Sequence, residues 1–203
     1  MNNPTAERLL ELARAFDDYR YGPTMADIRE GHHPVYPWPL PGVGVVLEGN
    51  RGPQPLMTNC CCFVEALLCR GFAEANPELL FGYVYHRAFM ILGDDLFSPI
   101  HAAIELGFAD PLEEDEYEGD WRIVQGWNED EDRGHTFLVV KTEAGGRMLI
   151  LEANNAFAVR GVGYRGLGSL EEVGEDPEAP KAWTWEYMRR KYPKMKAAAL
   201  RIG

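Results

Sequence analysis

Apolar residues recur with helical spacing near the start of the chain. Leu9, Leu10, Leu12, Ala13 and Phe16 form one stripe, which predicts an amphipathic helix over residues 4 to 19. Thr5 stands where an N-cap belongs, with Arg8 rather than an acid three positions on, so only part of a capping box is present. Residues 31 to 55 lose this periodicity and are dense in Pro and Gly, which predicts a long loop or short extended pieces. Helical patterning returns over 60 to 71, 77 to 92 and 98 to 107. The last opens at Ser98-Pro99, a suitable N-cap and first-turn pair.

The pattern then changes period. "ADPLEEDEYEGD" (109 to 120) reads as a solvated acidic loop, "WRIVQGW" (121 to 127) as a strand, and "NEDEDRG" as a second acidic loop. "HTFLVVK" (135 to 141) and "RMLILEAN" (147 to 154) flank the Gly-bearing "TEAGG" and predict a hairpin. A Gly-rich extended piece at 161 to 168, an acidic Pro-containing loop and a helix in "AWTWEYMRRKY" follow. Helices gathered first and strands later predict an α+β fold. The 203 residues suit a single domain, 1–203, and show no internal repeat or low-complexity tract.

Composition narrows the function classes. Hydrophobic residues make up 46%, sufficient for a real core. The formal net charge is −12 with no basic stripe, which argues against nucleic-acid binding and against anionic membrane surfaces. The N-terminus lacks the charged start and apolar core of a secretory signal, and no stretch approaches the roughly 18 to 20 apolar residues of a membrane span. A cytoplasmic chain as synthesised is expected, with export open only by another route. The four cysteines, Cys60, Cys61, Cys62 and Cys69, crowd one segment, which is not how a disulfide framework distributes its bridges, so free thiols are expected.

Three consecutive cysteines before an apolar helix raise metal, packing and nucleophile as explanations. Zinc ligands come in pairs spaced by two to four residues with a second pair elsewhere; the five histidines here are dispersed, and His32-His33 have no nearby third ligand. No metal or cofactor is therefore expected. Cysteine packs well, and Cys61, Val64, Leu67 and Leu68 share one helical stripe, so Cys61, Cys62 and Cys69 are assigned to packing. Cys60 differs by position. With Asn59 as N-cap it is the first helical residue, where free N–H groups and the helix dipole favour a thiolate.

A thiolate nucleophile needs an imidazole, and the imidazole needs an orienting acceptor. His135 opens the first hairpin strand. A turn centred on Gly145 sets Asn154 opposite it and Glu152 one step away diagonally on the same face; a slip of two positions makes Glu152 the direct neighbour. A surface histidine at a strand end and a turn-forming Asn account for the same residues without chemistry.

A helix-initial Cys, a His opening a hairpin and Glu-x-Asn ending the next strand resemble papain-like cysteine hydrolases. The pattern is most similar to the CHAP family of amidohydrolases and peptidases and to the NlpC-type cell-wall peptidases. "NCCCFV" resembles their nucleophile motif and selects Cys60; "GHTFLVV" is similar to their Gly-His strand, and "EAN" to the CHAP orienting pair. Cys61 departs from the small residue usual after the nucleophile. The resemblance covers roughly 55 to 71 and 120 to 157, and helices and an acidic loop between 72 and 134 are insertions relative to it.

The resemblance implies a papain-like domain with the nucleophile helix on a small antiparallel sheet. It implies Cys60 as nucleophile, His135 as acid and base, and Asn154 or Glu152 as orienter. It also implies an oxyanion-hole side chain in Gln54, worth about 3 kcal/mol; a loop Gln between prolines is the plain alternative. The implied substrate is peptidoglycan, at a muramoyl-peptide amide or a stem-peptide bond. An intracellular protease, isopeptidase or deamidase remains open. So does a non-catalytic interaction protein that binds a protein partner through its acidic loops and the aromatic stretches "VYPWPL" and "AWTWEYM".

Overall fold

A computed structural model describes residues 1–16, 19–22, 29–30, 37–38, 56–76, 97–131, 133–153, 162–165 and 183–203. Gln54, Asn154, His32, His33 and the helix expected over 77 to 92 lie outside the described residues. In chain order the described elements are α1 (Ala6–Arg14), β1 (Arg20–Tyr21), β2 (Met57–Thr58), α2 (Cys60–Ala75) and α3 (Ser98–Glu105). There follow β3 (Ala109–Pro111), a 3-10 turn (Glu114–Glu116), β4 (Arg122–Asn128), β5 (Arg133–Thr142), β6 (Met148–Ala153), β7 (Val162–Arg165), α4 (Trp185–Lys191) and β8 (Lys194–Leu200).

The fold is α+β. Six strands form one antiparallel sheet in the order β3-β8-β4-β5-β6-β7. Alternation along each strand sends successive residues to opposite faces, and both faces are covered. On one face Ile123, Leu138, Leu151 and Ala198 pack under α1, α2 and α3, whose Leu9, Leu12, Phe63, Leu67 and Ile100 are buried there. On the other, Val124, Phe137, Ile150 and Ala197 pack against Trp183, Trp185, Met188 and Tyr192, in and around α4. The sequence expectation for α1 holds with its cap: the Thr5 side chain accepts from Arg8 N–H, though the helix stops at Arg14.

Several expectations need correction. The "KMKAAAL" run after α4, given no assignment from sequence, is a strand, β8, and lies between β3 and β4, one strand in from the edge of the sheet. The acidic stretch from Ala109 is not all loop; its first three residues pair with Leu200, Ala199 and Ala198 as an edge strand. Ser98 is the first helical residue of α3 rather than its N-cap, a place taken by Phe97. A two-residue parallel pair, β1 with β2, had no sequence signal and brings Tyr21 opposite Thr58, just ahead of α2.

The hairpin register is the one that a turn centred on Gly145 demands: Leu138 pairs with Leu151 and Val139 with Ile150, with a shift between Val139 and Lys141. This ladder ends at Leu138, yet β5 reaches back to Arg133 and β6 continues to Ala153 paired with β7.

Candidate active site

Asn59 caps α2 as its sequence position suggests: the backbone is extended and the side-chain oxygen accepts from Cys62 N–H. Cys60 is thereby the first residue of the helix, where backbone N–H groups have no intrahelical acceptor and the dipole favours negative charge. Its sulfur accepts from the Thr136 backbone N–H.

His135 pairs across β4 with Gly126. A Cβ at Gly126 would stand 2.5 Å from the Tyr192 ring, so the missing side chain is what lets that ring lie on the strand. Tyr192 and Phe137 then stack on the imidazole at 6.5 and 5.6 Å, and Trp183 meets it edge-on at 5.8 Å. These rings leave the imidazole 5% exposed. Its Nε2 lies 2.6 Å from Glu152 Oε2, a carboxylate with 0% exposure. Nδ1 is then the nitrogen available to the Cys60 thiol, which is within hydrogen-bonding reach of the ring.

The electrostatics follow from these contacts. Burial alone would lower the His135 pKa, but the hydrogen bonds to Cys60 and Glu152 and the carboxylate charge outweigh it and raise it to about 9. The Cys60 thiol is held well below its ordinary range by the Cys61 S–H, then by His135 and the Thr136 N–H, against the opposing effect of burial. Both shifts favour the thiolate and imidazolium forms of the pair.

Of the sequence-predicted site residues, Cys60, His135 and Glu152 come together; Gln54 and Asn154 lie outside the described residues. Glu152, one of the two orienters considered for His135, contacts it from the neighbouring strand. The assignment of Cys61 to packing is incorrect. Its sulfur lies 4.0 Å from Cys60 Sγ and 3.2 Å from Thr136 Oγ1, and the Thr136 hydroxyl donates to Gln125 Oε1. Cys69, by contrast, is fully inside the core.

Tyr21 was not foreseen. Its half-buried phenol is within hydrogen-bonding reach of the Cys60 sulfur, and burial together with that sulfur raises its pKa. The β1–β2 pairing brings it there, and two-residue strands leave no periodicity to read.

Cys60 itself is 8% exposed. All four cysteines are free thiols. Among the described residues no group of His, Cys, Asp and Glu is arranged to hold a metal, and no helix is long and apolar enough to cross a membrane. No protein-family model, curated protein or solved structure matches the chain.

Proposed function

We propose that the protein is a papain-like cysteine hydrolase that cleaves an amide through a thioester. The observation that carries this reading is the buried Cys60, His135 and Glu152 constellation: a helix-initial sulfur beside an imidazole whose far nitrogen is held at 2.6 Å by a carboxylate. Each group has the role its surroundings prepare. The Cys60 thiolate attacks the carbonyl carbon and forms the C–S bond. The oxyanion forms beside the unengaged N–H groups of the α2 first turn. His135 gives its Nδ1 proton to the departing nitrogen as the C–N bond breaks. Water then attacks the thioester while His135 takes its proton, the C–S bond breaks, and the carboxylic acid leaves with the thiolate restored. Glu152 holds the ring in orientation and stabilises its charged form.

The resemblance to CHAP and NlpC-type enzymes makes peptidoglycan the first substrate to test, at a muramoyl-peptide amide or a stem-peptide bond. Amine release from purified peptidoglycan is expected, and Cys60→Ala should abolish it. In parallel, iodoacetamide should label Cys60 faster than the other three thiols at pH 6 to 7, as a thiolate with a lowered pKa requires. Equal sluggishness of all four would overturn the nucleophile assignment. Fast labelling without action on peptidoglycan would move the substrate to a protein or small amide.

A further inference from the structure

The contact between Cys61 and Thr136 leads to a row of polar side chains that the hydrolytic machinery does not use. Thr136 pairs with Gln125 across β5 and β4, and Gln125 pairs with Lys196 across β4 and β8. Directly opposed residues share a face, so all three lie on the helix-covered side, which is otherwise lined by Ile123, Leu138 and Ala198. Thr136 and Gln125 are buried, and Lys196 is half-buried.

Lys196 is unusual in its company. Its Nζ donates to His101 Nε2 at 3.0 Å and stands 5.0 Å over the Phe97 ring, both contributed by the start of α3. No carboxylate among the described residues pairs with it. Other cations of the chain find one: Lys194 with Glu129, Arg201 with Asp110, Arg8 with Glu74. In a chain of net charge −12, a half-buried ammonium held by an imidazole and a ring, with two N–H donors to spare, is an unspent counter-charge. Gln125 turns its amide toward β5, with Oε1 accepting from Thr136 and Nε2 near Gly134, so it leaves the ammonium without an acceptor from β4.

We propose that Lys196, with His101 holding the ammonium, forms a carboxylate-binding subsite that selects amide substrates bearing an acidic group near the scissile bond. The proposal rests on Cys60 as the nucleophile. Thr136 ties the row to the reactive end, through Cys61 and its own N–H to Cys60. Two strand spacings separate Thr136 from Lys196, roughly 10 Å. A carboxylate bound there belongs to a group about three extended residues or fewer from the attacked carbonyl. An acidic side chain or a terminal carboxylate meets that description.

The test uses two maleimides that differ only at the end of a short alkyl tail, one a carboxylate and the other a carboxamide. Labelling of Cys60 in the full chain is followed by mass spectrometry with fragmentation. The carboxylate probe should react about tenfold faster or more, against the repulsion of the acidic protein, since a charge-assisted hydrogen bond contributes this much. Lys196→Gln should bring the ratio of the two rates to about one, and Lys196→Arg should retain the preference. A ratio near one in the unaltered protein, or a preference that survives Lys196→Gln, would overturn the subsite. The carboxamide rate alone reports the thiolate, so failure of the nucleophile and failure of the subsite give different results.

Discussion

Glu152 is a carboxylate with no exposed surface, and His135 is its hydrogen-bonding partner at 2.6 Å. A buried charge that loses its counter-charge is strongly unfavourable. Glu152→Gln keeps the shape and removes the charge. The imidazolium then keeps only the Cys60 thiolate as counter-charge, and the His135 pKa falls from about 9. In the proposed mechanism a protonated His135 releases the amine, so the alkaline limb of the pH–rate profile should move to lower pH. The rate at neutral pH should drop by about 10²- to 10⁴-fold. A profile unchanged in shape would mean that Glu152 serves the fold alone. That Glu152 or Asn154 would stand beside His135 was legible in the sequence, because strand alternation and one Gly-bearing turn fix which side chains share a face. Cys61 was not. Helical periodicity gives a face, but not the fact that this face meets Thr136 rather than hydrocarbon. Tyr21 was beyond sequence reasoning for a related reason: its neighbour Thr58 is far along the chain, and two residues carry no pattern.

Elements with strong local signals formed where expected. Asn59 caps α2, "RIVQGW" runs as β4, and the hairpin adopts the predicted register. β8 escaped notice because "KAAAL" carries alanines, which favour helix, and its strand conformation comes from pairing on both sides. Gly126 shows how such pairing reaches the site. Gly126→Ala would drive a methyl to 2.5 Å from the Tyr192 ring, so the ring must leave the strand or the strand must shift. A loss of about 1–3 kcal/mol is expected in denaturant unfolding. Iodoacetamide labelling of Cys60 should change as well, since Tyr192 stacks on His135. An unaltered midpoint and labelling rate would show that the ring is not held there.

At the scale of the molecule, the helix-rich first part and strand-rich remainder made α+β legible. Strand order was not, because pairing between distant segments leaves no local mark. Ala198 illustrates what that order implies: it has 0% exposure, faces the helix-side core and sits on the strand that joins β3 to β4. Ala198→Asp should cost on the order of 3–5 kcal/mol, seen as a lowered thermal midpoint with loss of sheet signal in circular dichroism. A midpoint within a degree of the unaltered protein would contradict the burial.

The late position of β8 also bears on how the chain is made. Until residues 194 to 200 have emerged from the ribosome, β4 keeps one side of its backbone unpaired and β3 has no strand to join. Nascent or prematurely ended chains thus carry an open, apolar template for pairing with their own kind. The step that closes the sheet is the same one that ends this period of stickiness during synthesis.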